Sequence, residues 1–187
     1  MSYDIELFAI HPGETLDAAL TRRSGEATEA VTVSGSLSED EARKDRIAAA
    51  ITRKWPAIER FQCDFAEVAH RLKISEAKAR EQWRHVELNH AKLGLQITLN
   101  DDSAYITLAY WHEGGEAREA IRIVFDCAEI IRSETGYIAY DPQLGRMIEP
   151  GAEAAQVDSL AIYERTKRSV ETAIAGETTK PPWWKFW

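Results

Sequence analysis

The sequence predicts an α+β fold, with one antiparallel sheet, helices packed on one face of it, a C-terminal helix and an aromatic tail. Three observations carry that expectation. In SYDIELFAI, Tyr3, Ile5, Leu7 and Ala9 alternate with polar neighbours, the period-two signature of a half-buried strand. In LGLQITLNDDSAYITLAYW, two such runs flank a pair of aspartates, the pattern of a hairpin. Between Glu116 and Thr135, Ala117, Ile121, Val124, Phe125, Ala128 and Ile131 recur at helical spacing, which makes a cover for that sheet.

Taken in order, the first strand is ended by His11-Pro12-Gly13, and a short helix is expected from Thr15 to about Arg23. Ser24 to Ser36 is small and polar and reads as a loop. Ser38 and Glu41 stand at capping-box spacing before an alanine-rich helix that carries Ile47 and Ile51 on one side and closes near Pro56. FAEVAHRLKISEAKAREQWRHVEL suggests two short helices meeting at Lys73-Ile74-Ser75, with Ser75 capping the second.

The hairpin register follows from the side chains. With Asp101 and Asp102 at the centre of the turn, Leu99 faces Ala104, Ile97 faces Ile106, Leu95 faces Leu108 and Leu93 faces Tyr110. A slip by one residue would expose that whole set. The other face carries Gln96, Thr98, Tyr105 and Thr107, open to solvent or a ligand. Gly136 stops the long helix, Tyr137–Tyr140 is a strand, and the turn at Asp141-Pro142 leads into Arg146-Met147-Ile148. A last helix near Glu153 to Ala175 presents Val157, Leu160, Ala161, Glu164 and Lys167 along one edge. The expected division is a core domain over 1–150, a helical extension over 151–176 and a Trp-rich tail over 177–187.

Composition limits the function classes. The chain has 187 residues and a formal charge of −8, which opposes general nucleic-acid affinity but suits a basic protein partner. A local basic patch is not excluded by it. No apolar run approaches the roughly 18–20 residues of a membrane span, and MSYDIELFAI has no basic stretch before an apolar one, so a cytoplasmic location is expected. Cys63 and Cys127 lie far apart in apolar patterns and read as buried free thiols. No phosphate-loop, dinucleotide or nucleophile-elbow motif is present. His85 and His90, five apart, fall on different faces of a helix, so neither a metal nor another cofactor is expected.

Three constellations compete for a function. The first is a protein-binding surface made of Tyr105 and Trp111 on the hairpin, Asp141, Gln143 and Arg146 at the second turn, and the tail residues Trp183, Trp184, Phe186 and Trp187. That tail, preceded by a Gly176–Pro182 linker, is suited to docking in a groove or to transient membrane contact. The second is a helix-turn-helix over 66–89 that displays Lys78, Arg80, Arg84 and His85 to DNA, although Glu76, Glu81 and Glu87 share the segment. The third is a small hydrolase or transferase using His112 and Glu113 as an acid–base pair. The sequence does not specify the oligomeric state.

The segments SYDIELF, RFQCDFAEVA, KISEAKAREQWRHVELN, GLQITLNDDSAYITLAYW and ETGYIAYDPQLGR, in this order, resemble a group of small uncharacterised bacterial α+β proteins over roughly residues 1–148. The resemblance implies the fold and a bacterial cytosolic origin and supplies no catalytic residues. More loosely, a compact acidic α+β chain with a YDPQ hairpin is similar to immunity proteins, which would imply a toxin as the partner.

Overall fold

The computed structural model describes residues 2–25 and 37–178. In chain order these form β1 (Ser2–Phe8), α1 (Leu16–Gly25), α2 (Leu37–Lys54), β2 (Glu59–Arg60), α3 (Phe65–Leu72), α4 (Glu76–Gln82), β3 (Val86–His90), β4 (Leu95–Leu99), β5 (Ser103–Ala109), α5 (Gly114–Thr135), β6 (Ile138–Asp141), β7 (Arg146–Ile148) and α6 (Glu153–Thr178). The strands make one antiparallel sheet in the order β2-β3-β4-β5-β1-β6-β7, as the α+β expectation requires.

The hairpin register matches the apolar pattern, with Leu99 opposite Ala104, Ile97 opposite Ile106 and Leu95 opposite Leu108. The fourth expected pair does not form. Leu93 lies in the β3–β4 turn, where Gly94 adopts a left-handed φ of +58° and a Cβ would collide with Trp111 and Ala109. β1 enters between β5 and β6, placing Tyr3 against Leu108 and Ile5 against Ile106, so the apolar residues of three strands share one face.

α2, α5 and α6 cover that face. All six α5 residues expected at helical spacing are buried, as are Ile47 and Ile51 of α2, and each Val, Ile or Phe among them is worth ~1.5–3 kcal/mol relative to exposure. α5 ends as expected at Gly136, whose φ is +72° and whose N–H bonds Arg132 O at 2.8 Å. The opposite face is approached by α1, whose Arg23 guanidinium lies 4.7 Å from the Phe8 ring centroid and 5.3 Å from that of Tyr105.

Four expectations need correction. Residues 86–90 are not helical: Val86, Leu88 and His90 alternate along β3, which pairs with β4. Ser38 falls inside the first turn of α2, which begins at Leu37. Ser24 and Gly25 belong to α1, while 26–36 lie outside the described residues. The α6 stripe is rotated from the expected one. Val157 is 59% exposed, and the buried side holds Ala155, Ser159, Ile162, Tyr163 and Lys167. Tyr163 reaches the centre of the core, with its ring centroid 6.3 Å from that of Tyr3.

Candidate functional site

The segment between β2 and β3 folds as a helical hairpin for local reasons. Asp64 caps α3 by accepting from the N–H groups of Ala66 and Glu67, both at 3.0 Å. Ser75 caps α4 by accepting from Lys78 N at 3.2 Å. Between them the chain turns through Lys73, which adopts φ +56° in the left-handed region that a glycine usually fills. α3 and α4 each bury a single alanine, Ala69 and Ala79, so the pair stands off from the rest of the protein.

The space this leaves is a cleft of 540 Å³ between the helical hairpin and the β2–β3 edge of the sheet. Its apolar lining is Phe61, Cys63, Phe65, Val68, Trp83 and Val86, with Asp64, Glu67 and Glu87 set among Arg60, Arg71 and His85. Phe61 is 57% exposed. Large apolar side chains at the mouth of a concave surface are a usual sign of binding. β2 is the last strand on this side, and Phe61 N donates to Glu87 O at 2.9 Å, carrying the ladder one residue into the cleft.

Behind the cleft a charged knot joins α2 to the tip of the β4–β5 hairpin. Lys44 is 1% exposed, and its Nζ donates to Arg84 O at 2.7 Å and to Asp101 Oδ1 at 2.6 Å. Arg84 Nη2 lies 3.1 Å from Asp101 Oδ2 but lacks the alignment of a hydrogen bond, leaving a buried donor unsatisfied among the described residues. Arg43 donates to Asp101 O and, at 2.7 Å, to Asp40 Oδ1.

Among the described residues, those expected to bind a partner do not form one patch. Asp141 is fully buried on the core side of the sheet. Its Oδ2 accepts from Tyr3 Oη at 2.6 Å and Ser159 Oγ at 3.1 Å, and its Oδ1 accepts from Leu144 N at 2.9 Å. It is therefore a structural anchor and not part of a surface knob. Tyr105 points to the opposite face and accepts a hydrogen bond from Arg23. Gln143 Oε1 accepts from the Asp4 backbone N–H at 3.3 Å, and Arg146 is exposed and paired with Asp158. Trp111 is 59% exposed and lies over Gly94. Trp183, Trp184, Phe186 and Trp187 lie outside the described residues.

The DNA-reading arrangement is corrected as well. α4 ends at Gln82, so Arg84 and His85 are not on a recognition helix. Of the expected contacts α4 carries Lys78 and Arg80, and Arg80 pairs with Glu76 at 2.7 Å and covers the Phe65 ring at 4.6 Å. His112 is 5% exposed, its Nε2 is 2.8 Å from Leu93 O and its N–H donates to Tyr163 Oη at 3.1 Å. Glu113 pairs with Lys167. Those bonds pin the end of β5 to α6, and His112 does not line the cleft. Cys127 is buried as expected, but Cys63 is half-buried and faces the cleft.

Among the described residues no three His, Cys, Asp or Glu side chains are grouped to hold a metal ion, and no helix is long and apolar enough to cross a membrane. No family model matches the chain, and no curated protein and no solved structure proved similar to it.

Proposed function

We propose that this is a non-enzymatic protein of the bacterial cytoplasm that binds another protein and acts by occlusion, in the manner of an immunity protein. The observation that carries the proposal is the 540 Å³ cleft beside the β2 edge, with Phe61 left 57% exposed at its mouth. An extended apolar segment of the partner lies there, adding main-chain hydrogen bonds along the edge and side chains into the cleft. A formal charge of −8 favours a cationic partner such as a basic toxin, whose approach it accelerates.

The test is capture of the product of an adjacent gene, followed by titration and by rescue of growth from that product. Phe61→Asp should weaken the complex at least tenfold, ~1.4 kcal/mol or more, while leaving the unfolding midpoint unchanged because the side chain is exposed. Capture unaffected by Phe61→Asp, or growth not rescued by the unaltered protein, would remove the proposal.

A further inference from the structure

A second cavity, of 260 Å³, adjoins the cleft and has a different chemistry. It is bounded by α2, by Arg60 and Phe65, and by the stretch from Arg80 to Val86. Four cationic side chains line it, Lys44, Arg60, Arg80 and Arg84, against the carboxylates of Glu41 and Asp45. The lining itself is net positive in a chain with 23 basic and 31 acidic residues, while Asp101 and Glu76, outside the lining, pair with Lys44, Arg84 and Arg80. Three of the four residues that the sequence marks as a basic cluster, Arg80, Arg84 and His85, meet here.

The cations differ in how firmly they are engaged. Lys44 is held by Arg84 O and Asp101. Arg60 and Arg80 pair with Asp45 and Glu76 at 2.7 Å, but all four side chains are at least 44% exposed, and such solvent-screened pairs are weak. A better acceptor can therefore recruit both guanidinium groups. Arg84 lines the cavity with 18% of its side chain exposed, its Nη2 buried 3.1 Å from Asp101 Oδ2. Trp83 adds a flat ring to the wall, suited to stacking on another.

We infer that this cavity binds a small phosphate monoester carrying an aromatic ring, the class of nucleoside monophosphates. The phosphate meets the guanidinium groups of Arg60, Arg80 and Arg84 through charge-assisted hydrogen bonds, and the ring lies on Trp83. The site shares Arg60, Phe65, Trp83, His85 and Val86 with the neighbouring cleft, but it draws on the charged groups where partner capture draws on the apolar ones.

Calorimetric titration with adenosine monophosphate and with inorganic phosphate, at low and moderate salt, tests it. The nucleotide should bind at least tenfold tighter than phosphate, and both should weaken as salt rises. In the double variant R60Q/R80Q, whose changed side chains are exposed and whose unfolding midpoint is measured alongside, both affinities should fall at least tenfold. Trp83→Leu should reduce the nucleotide to the affinity of inorganic phosphate. Absence of binding by either probe overturns the inference, as does R60Q/R80Q binding as tightly as the unaltered protein. Equal affinity for the two probes overturns the aromatic part.

Discussion

Asp141 shows how much one side chain can hold. The sequence marks it as a turn-former, and it does accept from a backbone N–H three residues on, but its other oxygen is claimed by Tyr3 and Ser159. The Tyr3 contact spans 138 positions, and no local pattern reports a partner so distant. Tyr3→Phe removes one donor from a buried carboxylate and should lower stability by ~1–3 kcal/mol, read as a shift in urea midpoint without a change in slope. A shift near zero would mean that the hydroxyl holds nothing. The two cysteines separate on similar grounds. Burial, with a smaller contribution from the charge of Asp126, pushes the Cys127 thiol up to about 12, whereas Cys63 faces the cleft. A thiol-specific reagent near neutral pH should therefore label Cys63 in the folded protein and both thiols once it is unfolded; rapid labelling of Cys127 in the native state would contradict its placement.

Elements with a strong period were legible, and those governed by polar partners or by abrupt changes of period were not. β1, the β4–β5 hairpin and α5 each repeat one apolar spacing long enough to define a face. β3 was obscured because its five residues follow α4 with three residues between, so Val86 and Leu88 also fit a continued helical pattern. α6 misleads for another reason. Its inner face includes Ser159 and Lys167, satisfied by Asp141 and by Glu113 with Glu171, while Val157 faces out. The candidate cleft was hidden because RFQCDF has no period, and Phe61 and Phe65 acquire a common role when β2 and α3 place them around one cavity. The α3–α4 turn gives a direct test of local strain. Lys73 holds a left-handed φ of +56°, which costs a non-glycine residue ~1–2 kcal/mol. Against the entropy that glycine loses on ordering, Lys73→Gly should stabilise the hairpin by about 1 kcal/mol. Slower amide hydrogen exchange across α3 and α4 would register the gain, and faster exchange would show that the lysine side chain contributes more than its backbone costs.

Across the molecule, tyrosines from separate elements lie in or against the core where the sheet packs on its helices, and their burial sets how the protein responds to base. Tyr3 on β1, Tyr110 after β5, Tyr137 before β6 and Tyr163 on α6 all have phenol groups held above their ordinary value of 10.0, in each case chiefly by desolvation. For Tyr3 the negative charge of Asp141 adds to the effect. The unfolded chain releases these protons near pH 10 while the folded chain retains them, so above that point the unfolded state binds fewer protons and folding stability falls as pH rises. Tyr3 alone should contribute a slope of about 1.4 kcal/mol per pH unit, and below roughly pH 9 the phenols should contribute none. Urea midpoints taken from about pH 8 to about pH 11 would trace this decline, and phenolate absorbance would follow ionisation in the folded and unfolded states separately. Tyr3→Phe should flatten part of the slope besides lowering stability at neutral pH. A midpoint that stays level through pH 11, or a native protein whose phenols at these four positions ionise with the unfolded chain, would show that the packing of α6 and α5 on the sheet is looser than their burial implies.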